Sequence, residues 1–157
     1  MNTKLIGREK EALKLEQCLN SQRSEFVAVY GRRRVGKTFL VRSVCNDSFA
    51  FYVTGMYNAS KQEQLINFAA AFQRCFKTEE IKVESSWILA FNSLARQLER
   101  LPEGKKVIFI DELPWMDKAK SGFIPALENF WNSWAALRDD VKLIVCGSAT
   151  SWMISNL

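Results

Sequence analysis

The 157-residue chain has no histidine. Nucleophilic catalysis by a serine or cysteine activated by imidazole is therefore excluded. The four cysteines, Cys18, Cys45, Cys75 and Cys146, are scattered without a C-x-x-C pair. With no histidine beside them they do not make a zinc centre. They read as buried free thiols of a reducing compartment, which points to the cytoplasm. Proline and glycine are scarce, at 3 and 7 residues, while 48% of the chain is hydrophobic, which excludes disorder. Long apolar runs are absent. Val107–Ile110 and Leu143–Cys146 fall far short of the ~20 residues that a bilayer demands, so no membrane partner is expected. Met1-Asn2-Thr3-Lys4 leads into charge, not an apolar stretch, so no signal peptide is read.

Acidic balance is also missing, but only locally. The net charge of +5 would suit a polyanion partner. Residues 23–42 carry Arg23, Arg32, Arg33, Arg34, Lys37 and Arg42 against Glu25 alone, which accounts for the whole excess. The remainder is neutral. The positive field thus belongs to one loop. A nucleic-acid partner is possible, but the charge distribution gives it no support.

Along the chain, four short, largely apolar runs stand out: Phe26–Tyr30, Phe49–Val53, Val107–Ile110 and Val141–Cys146. Such runs suit strands buried on both faces of a parallel sheet. Between them lie helical patterns. A charged stretch to Leu19 places Leu15, Cys18 and Leu19 on one side. A helix is expected from about Gly36 to Cys45. Ser60 with Glu63 forms a capping box ahead of Leu65, Phe68, Ala69, Phe72 and Phe76. Ser85 or Ser86 caps the next helix, with Trp87, Phe91, Leu94, Leu98 and Leu101 on one face, and Pro102 to Gly104 stop it. Ile124 to Leu137 reads as one aromatic-rich helix with Pro125 in its first turn. Its Phe130, Trp131 and Trp134 recur at the spacing of a packed face. Strands alternating with amphipathic helices predict a three-layer α/β fold with a mainly parallel sheet.

The basic loop has a sequence with chemistry in it. Gly31, Arg32, Arg33, Arg34, Val35, Gly36, Lys37 and Thr38 match the P-loop pattern G-x-x-x-x-G-K-[ST], with Phe39 next in the helix. A chance match at one position is on the order of 10⁻⁵ from ordinary residue frequencies. An apolar strand precedes it and a helix should follow, which is the context the motif requires. The glycines let main-chain N–H groups turn toward phosphate oxygens, and the helix N-terminus adds partial positive charge. Lys37 is placed to reach the β- and γ-phosphates and the Thr38 hydroxyl to ligate Mg²⁺. Arg32, Arg33 and Arg34 stay open between phosphate, an adenine pocket, solvent and a partner.

Val107-Ile-Phe-Ile110 runs into Asp111-Glu112, a Walker B pattern. A carboxylate at the carboxyl end of a buried strand faces the crevice where open α/β sheets bind ligands. Asp111 is assigned to Mg²⁺ through water. Glu112 is assigned to orienting and polarising the attacking water. Ser148, ending the fourth strand, is the candidate contact for the γ-phosphate or that water, with Thr150 in reserve. An ordinary helix-capping role remains open for either.

Ile6-Gly7-Arg8-Glu9, Tyr30 to Thr38, Ile110-Asp111-Glu112-Leu-Pro-Trp115 and Val145-Cys-Gly-Ser148 occur in that order over nearly the whole chain. Together they resemble the archaeal-type ATPases of the AAA+/STAND group. The resemblance implies an additional-strand P-loop NTPase fold with strand order 5-1-4-3-2, ATP and Mg²⁺. It also implies that Ile6, Gly7 and Arg8 pack by the adenine. The family usually continues into a helical lid and a C-terminal effector region as partners of this domain. Residues 1–157 are accordingly expected to be the N-terminal portion of an ATPase domain, with its fifth strand and lid missing. GTPases would need N-K-x-D and ABC domains L-S-G-G-Q; neither occurs. Arg138 is a poor positional match for an arginine finger.

The expected activity is Mg²⁺-dependent ATP binding and hydrolysis of the β–γ bond, with Lys37, Glu112 and Ser148 as catalytic residues. The alternative is a slow switch that holds ATP or ADP and changes partners with little turnover. A nucleic-acid motor is weaker, because the charge outside the P-loop is balanced.

Overall fold

A computed structural model of the chain describes residues 9–31, 36–148 and 150–157. The elements run α1 Glu9–Asn20, β1 Glu25–Tyr30, α2 Lys37–Val44, β2 Phe51–Thr54, α3 Lys61–Phe76 and α4 Trp87–Glu99. Then come β3 Lys106–Asp111, a one-turn α5 Leu113–Met116, α6 Phe123–Ser133, a 3₁₀ turn Ala135–Leu137, β4 Val141–Gly147 and α7 Thr150–Asn156.

All four apolar runs are strands, and every pairing is parallel in the order β1-β4-β3-β2. β3 and β4 are central and buried along their whole length. That burial explains why their sequences are apolar without alternation. Side chains still alternate between faces. Ile108, Ile110, Leu143 and Val145 join Phe51, Val53 and the helices α3, α4 and α6 in the larger core. Phe109, Ile144 and Cys146 meet Leu15 and Leu19 of α1 and Val41 of α2 on the other side. Helices on both faces of a parallel sheet make the predicted three layers.

The helix starts follow the expected chemistry. Ser60 Oγ accepts from the Glu63 N–H at 3.1 Å, and Glu63 Oε1 accepts from the Ser60 N–H at 3.0 Å, closing the capping box. The Ser60 N–H, and then its hydroxyl, hold the Glu63 carboxyl below its ordinary pKa. Ser86, not Ser85, caps α4 by accepting from Leu89 N–H.

Some boundaries differ from expectation. The helix predicted over 124–137 ends at Ser133, because Trp134 leaves helical geometry at φ −132°, ψ −65°. Its indole then lies against Phe130 at 5.2 Å between ring centroids, and the Arg138 guanidinium lies 5.1 Å from that ring. The second strand starts at Phe51 instead of Phe49. Phe49 packs instead against Phe109 and Tyr52 on the α1–α2 side. Residues 150–156, to which no element was assigned from sequence, form α7. Trp131 lies edge-on to Phe26 at 5.3 Å, so it packs the core as its spacing implied. All four cysteines are free thiols; Cys45 and Cys146 are buried, while Cys18 and Cys75 are half-buried.

Candidate active site

The carboxyl ends of β1, β3 and β4 lie side by side, with Tyr30 opposite Gly147 and Ile110 opposite Val145. Each strand therefore delivers its next residues to one edge of the sheet. β1 delivers Gly31 and the phosphate loop. Residues 32–35 lie outside the described residues, as do Ile6, Gly7 and Arg8, so the expectations on Arg32, Arg33, Arg34, Val35 and the adenine box have no structural counterpart here. Gly36 closes the loop in the left-handed region at φ 81°, ψ 24°, where a side chain is disfavoured. It serves as the N-cap of α2, which begins at Lys37.

Lys37 and Thr38 occupy the first turn of α2, where main-chain N–H groups point out of the helix without helical partners. An anion placed there meets those donors and the positive end of the helix dipole. Lys37 is 7% exposed, and its Nζ donates to the Gly31 carbonyl at 3.0 Å, so the ammonium folds back across the loop. Phe39 is exposed on the same helix.

The Thr38 hydroxyl donates to Asp111 Oδ2 at 2.7 Å, joining residues 73 positions apart. Asp111 Oδ1 accepts from the Glu112 N–H at 2.9 Å. Burial pushes the Asp111 carboxyl above its ordinary pKa, opposed by the Thr38 hydroxyl, the Glu112 N–H and the Lys37 charge. The protein alone thus under-compensates this carboxylate. The pair fits a small hard cation: a hydroxyl and a carboxylate oxygen in contact. Among the described residues no group of three His, Cys, Asp or Glu side chains comes together. A cation at Thr38 and Asp111 would draw its other ligands from nucleotide and water, as Mg²⁺ commonly does.

Glu112 follows in left-handed geometry, φ 52°, ψ 45°, and caps α5. Its neighbours leave it little freedom. The Gly55 N–H donates to the Asp111 carbonyl at 2.8 Å. A Cβ on Gly55 would sit 2.4 Å from the Glu112 carbonyl oxygen, so only glycine allows this approach. Ser148 is half-buried at the end of β4, on the edge that carries Asp111.

Arg138 is at the other end of the sheet, ahead of β4, where it grips Asp140 through two bonds of 2.9 Å. Sequence reasoning missed Gly55, which lies against the Glu112 carbonyl, and Gln64, which donates to the Trp115 carbonyl of the turn that Glu112 begins. One signal was available. Gln64 is a polar residue on the apolar stripe of α3, in step with Phe68 and Ala71.

Comparison with known proteins matches residues 5–157 to a family described as an ATPase domain predominantly from Archaea. An uncharacterised protein of Methanocaldococcus jannaschii is 30% identical over 149 residues, covering 94% of this chain and 30% of that protein. The Walker-type ATPase of Pyrococcus abyssi superposes with a TM-score of 0.59 at 21% identity, over 90% of this chain and 45% of that one. The chain spans less than half the length of either relative. The second match is a likeness of fold.

Proposed function

The chain belongs to the family of ATPase domains found predominantly in Archaea, and from that premise we propose that it binds ATP with Mg²⁺ and hydrolyses the β–γ bond by water attack, as a member of the AAA+/STAND group. The observation that carries this reading is the 2.7 Å bond from Thr38 to Asp111, which joins the two halves of a phosphate-and-metal site across the sheet. Gly31, Gly36 and the first turn of α2 cradle the phosphates, along with the loop residues Arg32 to Val35. Lys37 leaves the Gly31 carbonyl for the β- and γ-phosphate oxygens, an exchange that a buried ammonium makes readily because both partners are oxygens. Thr38 and Asp111 would hold Mg²⁺, which neutralises charge on the transferred phosphoryl group. Glu112 orients the water and takes its proton. Ser148 contacts the γ-phosphate, and Ile6, Gly7 and Arg8 border the adenine.

Lys37→Ala tests the reading at its base. Mg-ATP affinity by calorimetry should fall at least ~10-fold, since one charge-assisted phosphate contact is lost. Unchanged affinity would sink the assignment. One observation favours the slower alternative, a nucleotide switch with little turnover. Arg138 is committed to Asp140 far from the phosphate loop, and no other arginine of the described residues is assigned to the transition state. Turnover with and without candidate partners separates the two.

A further inference from the structure

Gln64 is completely buried, yet it is a polar residue on a helix that otherwise buries carbon. Its amide is fully used. Nε2 donates to the Met56 carbonyl at 2.7 Å and to the Trp115 carbonyl at 3.1 Å, while Oε1 accepts from the Met56 N–H at 3.1 Å. One side chain of α3 therefore stitches the loop after β2 to the turn after β3. That turn is the one that begins at Glu112.

The turn needs holding. Glu112 is a non-glycine residue in left-handed geometry. Such geometry persists only where its surroundings over-determine it, and it gathers at functional sites. Trp115 bonds the turn shut from one side through its N–H, which donates to the Glu112 carbonyl at 3.1 Å. Gln64 anchors the same residue from the other side through the Trp115 carbonyl. Tyr57, 75% exposed, stands edge-on to the Trp115 ring at 5.4 Å, so the loop and the turn also meet outside.

We infer that Gln64 is a positioning residue for Glu112: by locking the Trp115 carbonyl to the Met56 loop it keeps the Glu112 turn left-handed and its carboxylate aimed at the phosphate site. The inference rests on the assignment of Glu112 under the proposed function. It predicts a division of labour. Nucleotide binding belongs to the phosphate loop, whereas the hydrogen bonds of Gln64 go to Met56 and Trp115; turnover depends on where Glu112 points.

Two variants of the intact protein separate these. Gln64→Met keeps the volume and removes the amide. Gln64→Asn keeps the amide but is one methylene too short to span Met56 and Trp115. Both should bind a non-hydrolysable ATP analogue within about twofold of the parent, while kcat falls ~10- to 100-fold, the scale expected for a misplaced catalytic group. Added to Glu112→Gln, either should cost nothing further, because the position of an absent base no longer matters. Parent-like kcat in both variants, or losses that multiply with Glu112→Gln, would overturn the inference. So would a parallel loss of affinity and kcat, the mark of general loosening. If Gln64→Met does not fold, Gln64→Asn carries the test by the same measurements. If Glu112→Gln itself hydrolyses ATP at the parent rate, the site assignment has failed and takes this inference with it. If that variant is slow but the Gln64 variants are not, only the inference fails.

Discussion

At the amino ends of the strands Lys106 and Lys142 are 3% and 2% exposed, and at the carboxyl ends Lys37 and Asp111 are 7% and 5%. Both edges of one sheet bury charge, but they satisfy it differently. Lys142 Nζ donates to Ser21 Oγ, the Ser21 carbonyl and the Arg23 carbonyl, three acceptors for three N–H bonds. Lys106 Nζ donates to the Pro102 and Gly104 carbonyls and pairs with Asp140 at 3.1 Å. Asp140 in turn takes both bonds from Arg138, which with Lys106 holds its pKa down to about 2 against the opposing effect of burial. At the carboxyl end the buried carboxylate has a neutral hydroxyl as its side-chain partner, and burial wins, raising the pKa of Asp111. The amino end is closed and structural. The carboxyl end leaves its carboxylate less fully compensated, in keeping with the Mg-nucleotide site proposed there.

The strongest way to test that contrast is at Glu112. Glu112→Gln should leave ATP binding and melting temperature intact while hydrolysis falls ~10²-fold or more, the weight of a general base. A variant that unfolds instead would place Glu112 among the structural charges. The mirror experiment is Lys142→Met, which leaves two carbonyls and a hydroxyl without their donor. It should cost ~2 kcal/mol of stability by denaturant titration, as buried groups deprived of a partner do. Calorimetry should show Mg-ATP affinity unchanged.

The two aspartates should respond in opposite directions. The folded pKa of Asp140 is depressed, so its contribution is present above the unfolded value of about 4 and is lost as pH falls through about 2. Asp140→Asn should remove that acid-sensitive part, on the order of 1 kcal/mol after allowing for solvent screening, and lower the melting temperature at neutral pH. The folded pKa of Asp111 is raised, so stability is lost as pH rises through its ordinary value toward the raised one. Asp111→Asn should therefore melt no lower than the parent at pH 7 while its Mg²⁺ dependence weakens. Melts that move the same way for both variants would erase the contrast between the ends. The smallest effect belongs to Arg42, paired with Asp47 in the open, where both side chains are more than half exposed. Arg42→Ala should change neither melting temperature nor ATP affinity measurably.

Much of the site was legible because its signals are local. The P-loop needs two glycines, a lysine and a threonine at fixed spacing between a strand and a helix, and chain connectivity alone supplies that geometry. Asp111 was legible for a related reason: four apolar β-formers ahead of it declare a buried strand, and a strand end of a parallel sheet is where ligands bind. Gln64 was not. Its neighbours Leu65 and Phe68 mark the stripe as apolar, and the reason for an amide there is a pair of carbonyls, one eight residues back and one 51 residues on. Lys106, just ahead of its apolar run, and Lys142, near the start of its own, likewise give no local sign of a buried role. Only the folded chain shows their ammonium groups buried among main-chain carbonyls.

The sequence by itself determined the four strands, the capped helices α3 and α4, and the layered fold, since each follows from residue periodicity and short-range sterics. The strand order followed from the family resemblance, and tertiary structure decided the rest: that Thr38 donates directly to Asp111 across 73 residues, that residues 150–156 wind into a helix, and that Glu112 takes a left-handed turn. The physical reason is separation along the chain. A local preference is set by one residue and its near neighbours, whereas a long-range contact forms only when the two core faces pack, and the energy of that packing is a property of all the elements together.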